Sequence, residues 1–414
     1  MHRTIAIAGG GHAAGRAVRV LRDEGFDGRI LVVGEERDPP YERPALSKEF
    51  LRGDHGLDKC LINAADVYGD GRTDLLLGSR VSAIDARDRR LITEGGKAVT
   101  FDALLIATGT RARTLDGVPV DGEVVHTLRS AADALRLKPR LLPGTRVVLI
   151  GGGFIGLEVA ASARTLGCEV TVLEAAPALL ARVVGGEAIG RHVEALHRAQ
   201  GVTIQTGVRI DRIEVRPGGA TVQCADGPRI AADVLVVGVG AVPNAEVAAA
   251  AGLECNDGIV VDGRGRSSAE GIYAVGDVAR HPSAFHGRSI RLETWDNAER
   301  QTAVACRAML GREERYDAVP WMWTDQFGMN LQMLGLPGPC EVEVVRGDPA
   351  SGRFITLALN GGRVTSAVLV NMGRERRPLT GIMERGVLVN PAELATQLAD
   401  ESVPLRNLAQ RVAG

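Results

Sequence analysis

Two glycine-rich turns, each followed by a carboxylate at a set distance, are the residues of this chain whose types and spacing point most directly to chemistry. The first reads Gly9-x-Gly11-x-x-Ala14 and the second Gly151-x-Gly153-x-x-Gly156. In such a turn the first glycine permits a tight reversal, the second lets the backbone approach a pyrophosphate, and the third small residue lets helix pack on strand. The helix that follows offers free N–H groups and its positive dipole end to the phosphates. Glu35 and Glu174 come next, each expected at a strand end, where a carboxylate accepts hydrogen bonds from ribose hydroxyls. Glu36 competes with Glu35 for that role. A carboxylate at position 174 repels a 2′-phosphate and no arginine follows it directly, so NADH is expected over NADPH.

Such turns work only between a strand and a helix. Thr4 to Ala8 is a short apolar run that stops at Gly9, after which Ala14, Val18 and Leu21 recur at helical spacing, and Arg29 to Val33 supplies the next strand. The same order returns in Arg146 to Ile150, the glycine turn, a helix over Leu157 to Leu166, and a strand over Glu169 to Leu173. Two βαβ units of one architecture follow, hence an α/β protein with two Rossmann-like dinucleotide-binding domains. Glycine and proline punctuation at Thr110 to Val120 and Val239 to Asn244 marks crossings between domains. From Glu341 the pattern alternates around turns such as Asn360-Gly361-Gly362, which predicts an antiparallel sheet, closed by helices near Leu379 to Arg385 and Pro391 to Ala399.

The 414 residues suit two or three domains, and 49 Lys plus Arg against 51 Asp plus Glu give a net charge of -2 that excludes general attraction to nucleic acid or anionic membranes. The N-terminus lacks a signal-peptide pattern, and the apolar stretch Val147 to Ala163 is broken by glycines and carries Glu158. A cytoplasmic protein is expected. The cysteines at 60, 168, 224, 255, 306 and 340 form no C-x-x-C and no metal-ligand cluster, so buried reduced thiols and no metal are expected.

With the turns in place, the blocks GGGHAAG, PPYERPALSKEFL, LLIATGTRAR, GGGFIGLEVA, GVGAVPN, GIYAVGDVA, RLETWDNAERQ and PWMWTDQF come in the order found in the oxygenase-coupled NADH-dependent ferredoxin reductases, which the chain resembles along nearly its whole length. The resemblance implies a glutathione-reductase-like fold: an FAD domain over 1–112 and 242–319, an NAD domain over 113–241, and a C-terminal α+β interface domain over 320–414. FAD and NADH are the cofactors it implies. Position by position it assigns Gly9, Gly11, Ala14 and Glu35 to the FAD pyrophosphate and adenosine ribose, Arg43 and Lys48 to the flavin side, and Val81 to the adenine. Thr108 and Gly109, Asp277, and Glu293, Thr294 and Trp295 fall in its other flavin segments, and Gly240 near the NAD crossing. Asp277 corresponds to a ribityl-binding carboxylate in a Gly-Asp pair opening a helix. Ala14 departs from the commoner third glycine.

The resemblance also pairs Lys48 with Glu158 near flavin and nicotinamide, and a buried carboxylate there is costly unless paired. The plain alternative is an exposed glutamate on a helix and a lysine on a loop. Hydride transfer between stacked rings needs no catalytic acid. Related disulfide reductases relay electrons through cysteines after the first βαβ unit, but here the residues are Pro44-Ala45-Leu46-Ser47, so no thiol relay is expected. The resemblance implies instead that single electrons pass to a two-iron ferredoxin. Trp323, beside Trp321, matches an aromatic near that exit, although the two also suit ordinary packing on one strand face. Ferredoxins are usually acidic, which nominates Arg280, Arg288 and Arg291, or Arg374, Arg376 and Arg377, for docking, against the reading of a solvated face. His281 and His286 are expected on the surface. A monodehydroascorbate-type reductase shares the PYERPALSK block, and an apoptosis-inducing-factor-like flavoprotein is the alternative of another class. Monomer and homodimer are both compatible with the sequence.

Overall fold

Thr4–Ala8 holds four consecutive buried residues, as a strand covered on both faces must. In the computed structural model, which describes residues 4–225, 227–385 and 391–411, this strand is central to a parallel sheet. The sheet runs in the order Ile272–Ala274, Ala103–Ile106, Thr4–Ala8, Arg29–Val33, Thr73–Leu76. Helix His12–Asp23 buries Ala13, Ala14, Ala17, Val18 and Leu21, and its small residues let helix Trp295–Met309 pack on it. Three-stranded sheets of Val81–Asp85, Arg90–Thr93 and Ala98–Thr100, and of Ile259–Val260, Ala279–Ser283 and Arg288–Arg291, also lie against this core.

These elements belong to one of two compact units, made of residues up to Ala45, His55–Arg111 and Ala241–Ala318. The other unit takes Leu46–Asp54, Ala112–Gly240 and the chain from Val319 onward. Leu46–Asp54, which the sequence reading keeps with the first domain, clusters with the second unit because Ser47 and Lys48 bond to its helix Phe154–Thr165.

The second unit repeats the parallel architecture in the order Thr203–Gln205, Glu169–Leu173, Arg146–Ile150, Val234–Val237, Val125–His126. Its helix begins at Phe154, three residues ahead of the expected Leu157, because Gly156 is already helical. The unit also holds a five-stranded antiparallel sheet ordered Trp321–Gln326, Met329–Gly335, Arg363–Val370, Arg353–Asn360, Val342–Asp348. The last three strands match the alternation seen in the sequence. The first two form a hairpin that was not anticipated, closed by Phe327 and Gly328 at φ 49° and 79°, the paired left-handed conformation of a two-residue turn. Helices Arg376–Arg385, Pro391–Ala399 and Leu405–Arg411 follow, the third also unanticipated.

Candidate functional site

In the first unit, Gly9 sits at φ 118°, and a Cβ there would strike the carbonyl oxygen of Ala107, so no other residue fits. Helix His12–Asp23 then starts from Gly11 with no side-chain cap and no acidic residue in its first turn. Its leading N–H groups are therefore open to an anion. A Cβ on Gly11 would meet only the Arg43 guanidinium, at 3.2 Å. Arg43 bonds to Glu36 at 2.6 Å, and Tyr41 donates to the same carboxylate. Glu36 is thus engaged within the protein, which leaves the exposed Glu35 as the carboxylate available beyond the strand.

Thr110 donates to Asp277 at 3.3 Å. The expected helix after Gly276-Asp277 is a single 3-10 turn, Gly276–Val278, because the chain passes straight into strand Ala279–Ser283. Trp295 meets the ring of His12 edge to face at 5.6 Å, Thr294 caps helix Trp295–Met309 by accepting from Asn297 N, and Glu293 accepts from Arg291. The Thr108 hydroxyl donates to the Asn244 carbonyl, Gly109 has φ 62°, and Val81 is buried. Three buried polar atoms on one helix, Asn297 Oδ1, Gln301 Nε2 and Thr302 Oγ1, have no hydrogen-bond partner among the described residues. Orphans of this kind await a polar ligand, and with the uncapped turn they fit a dinucleotide.

The second unit repeats the device. Gly151 has φ 108° with the Gly238 carbonyl in the way of any Cβ, and a Cβ on Gly156 would strike the carbonyl of Gly151. Gly153 faces open space and caps helix Phe154–Thr165 without a side chain. Glu174 accepts from Gly152 N at 2.5 Å and from Ala176 N at 2.7 Å, which fixes its carboxylate at the lip of the turn. Gly240, at φ 106°, lies at the end of this stretch.

Helix Phe154–Thr165 also carries Glu158, whose side chain is 5% exposed and lies 3.1 Å from the ammonium of Lys48, itself 9% exposed. The expectation of a buried pair holds, and the exposed alternative is excluded. Ser47 donates to Glu158 Oε2, and Thr324 donates to Oε1 at 2.7 Å. One turn further along, Ser162 donates to the Ser47 carbonyl at 2.7 Å, which anchors the segment carrying Lys48. The Glu158 carboxylate is thus met by one cation and two hydroxyls, the compensation that a buried charged group needs. Ser47 and Thr324 were missed in the sequence. A signal was present for Ser47, a hydroxyl adjoining Lys48. A cavity beside the pair is lined by Lys48, Arg52, Glu158, Ser162, Asp325 and Phe327.

Trp321 and Trp323 stack at 4.9 Å with planes 17° apart, and the Arg376 guanidinium lies 4.1 Å over Trp321. Arg374 and Arg377 are exposed. The other arginine group is less available, since Arg280 and Arg291 pair with Asp257, and Arg291 is also held by Glu293. His281 is a correction: alternation along Ala279–Ser283 turns it inward, where it is 2% exposed against Tyr316. His286 is half-buried. None of the six cysteines forms a disulfide among the described residues; four are buried, Cys255 is half-buried and Cys340 exposed. Among the described residues there is no metal-binding cluster of His, Cys, Asp or Glu, and no helix is long and apolar enough to cross a membrane.

Residues 3–302 match the model of the pyridine nucleotide-disulphide oxidoreductases, and residues 321–409 that of a reductase C-terminal domain. The chain is 42% identical to the ferredoxin–NAD(+) reductase component of the anthranilate 1,2-dioxygenase system of Burkholderia cepacia, over 97% of this chain and 98% of that protein. It is 35% identical to the putidaredoxin reductase of Pseudomonas putida, over 98% and 96% of the two chains. The reductase in a crystal structure of the covalent putidaredoxin reductase–putidaredoxin complex superposes with a TM-score of 0.93 at 34% identity, covering 100% of this chain and 99% of that one.

Proposed function

Because this chain belongs to the pyridine nucleotide-disulphide oxidoreductase family, we propose that it is an FAD-dependent NADH:ferredoxin reductase passing electrons to a two-iron ferredoxin that serves an oxygenase. The observation that carries the reading is end-to-end similarity to reductase components of dioxygenase systems, joined to a second unit whose buried ion pair stands where a thiol relay is missing.

Gly9, Gly11, Ala14, Glu35 and Arg43 hold the FAD pyrophosphate and adenosine ribose, with Val81 at the adenine and Thr108, Gly109, Asp277, Glu293, Thr294 and Trp295 along the rest of the cofactor. Gly151, Gly153, Gly156 and Gly240 cradle NADH, and Glu174 takes its ribose diol. Bound FAD supplies the chemistry of accepting a hydride and parting with electrons singly. Lys48 and Glu158 provide a fixed dipole, which costs little reorganisation during transfer. Trp323 lies on the exit route, and Arg374, Arg376 and Arg377 receive the acidic ferredoxin. Six cysteines, none of them in a disulfide among the described residues, suit a reducing, cytoplasmic setting.

A panel of two-iron ferredoxins, monodehydroascorbate radical and oxygen under NADH tests the reading. The specificity constant should be highest for a ferredoxin, and Glu158→Gln should slow anaerobic flavin reduction by NADH at least about tenfold. A colourless preparation, a yellow one that NADH fails to bleach, or preference for monodehydroascorbate overturns it.

A further inference from the structure

Beyond Lys48 and Ser47, the Glu158 carboxylate stands at the end of a buried chain of hydrogen bonds. Thr324 Oγ1 donates to Glu158 Oε1 at 2.7 Å, Gln326 Nε2 donates to Thr324 Oγ1 at 2.9 Å, and His197 Nε2 lies 2.8 Å from Gln326 Oε1. All four side chains are buried, with His197 at 0% exposure and Thr324 at 0%. The direction of each bond follows from the first. A carboxylate paired with lysine only accepts, so the Thr324 hydroxyl must spend its proton on Glu158 and accept from its other neighbour. The donor it accepts from can only be the Gln326 amide NH2, which turns the amide oxygen toward His197. His197 must then carry its proton on Nε2. Its Nδ1 has no hydrogen-bond partner among the described residues, as that tautomer permits. Burial holds the His197 imidazole below its ordinary pKa, against the opposing effect of the Gln326 bond.

We propose that His197, Gln326 and Thr324 are positioning residues for Glu158: a one-way series of donors that fixes the carboxylate's rotamer for hydride transfer from NADH. Three donors pointing one way polarise each other toward the anion, so each strengthens the next. The chain is built from separate elements. Glu158 comes from helix Phe154–Thr165, His197 from helix Glu187–Ala199, and Thr324 and Gln326 from strand Trp321–Gln326. On that strand Thr324 and Gln326 face inward while Asp325 between them is exposed. Alternation places Trp321 and Trp323 on the opposite side from Thr324 and Gln326. One strand therefore sets both the carboxylate on one face and the tryptophan stack on the other.

This inference rests on the proposed reductase activity, and its test separates the two. In holoenzyme labelled with 15N-histidine, the His197 ring, identified by its loss in His197→Gln, should show a protonated Nε2 and a bare Nδ1. A proton on Nδ1 instead overturns the chain whatever the enzyme's activity. In stopped-flow reduction by NADH, Thr324→Val should lower the limiting rate about tenfold, with flavin content and NADH dissociation constant unchanged, and Thr324→Ser should stay within about twofold of the parent. Gln326→Met should lower it in the same direction and serves if Thr324→Val does not fold. In a Glu158→Gln background neither substitution should cost more, since no charge is left to position. Full, additive losses in that background would mean that the three residues merely support the fold. A parent flavoprotein that NADH does not reduce defeats the functional reading, and the nitrogen spectrum still decides the chain.

Discussion

At the scale of single residues, the glycines were readable because their conformations admit nothing else. Gly9 and Gly151 both lie at positive φ with a carbonyl oxygen where a Cβ would go. Gly9→Ala should purify with little or no flavin, judged by absorbance. Gly151→Ala should keep its flavin yet bind NADH at least about tenfold more weakly in an anaerobic titration, the strain being on the order of 1–3 kcal/mol. The Lys48–Glu158 pair was reached through the family resemblance, since the residues around each also suited an exposed glutamate on a helix and a lysine on a loop. Ser47, Thr324 and His197 were not. A hydroxyl or an imidazole has no preferred partner in sequence, and what Thr324 does depends on a helix far away along the chain.

At the scale of elements, the two βαβ units declared themselves through apolar strands ending at glycine turns. The strand Trp321–Gln326 did not, since its inward face carries the polar Thr324 and Gln326 and so breaks the alternation that marks a strand. The missing Gly-Asp helix has the opposite cause, a helix-like start at Gly276 cut short by pairing of Ala279–Ser283 with Arg288–Arg291. With Trp323 stacked on Trp321 and Arg376 above Trp321, the edge of this sheet presents a rigid aromatic and cationic surface. Trp323→Ala should lower turnover with ferredoxin about tenfold while NADH oxidation by ferricyanide, which needs no docked protein, stays within about twofold. Equal loss with both acceptors would remove Trp323 from the exit route.

At the scale of the whole molecule, net charge and composition indicated a folded chain with no general attraction to nucleic acid or anionic membranes, but not which ionisable groups lie inside it. His281 is the clearest case. Burial pushes its pKa down from 6.5 to about 4, with Asp317 opposing only in part. Because the folded value lies below the unfolded one, this stabilisation is complete above about pH 6.5 and is lost as pH falls toward 4. The loss should amount to about 3 kcal/mol across that window, and His126, His192, His197 and His286, all lowered by burial, add to it in the same sense. Urea midpoints should be flat near neutrality and fall on acidification, and His281→Phe should flatten the fall.

The discontinuous first unit has a consequence during synthesis. Its edge strand Ile272–Ala274 pairs with Ala103–Ile106, and helix Trp295–Met309 packs on His12–Asp23, yet both leave the ribosome only after the whole intervening segment Ala112–Gly240. Until then the nascent chain displays an unpaired apolar strand edge at Leu104 and Leu105 and an uncovered helix face. Slow translation or a stop shortly after Gly240 therefore leaves a species suited to chaperone capture or aggregation rather than a half-sized functional fragment.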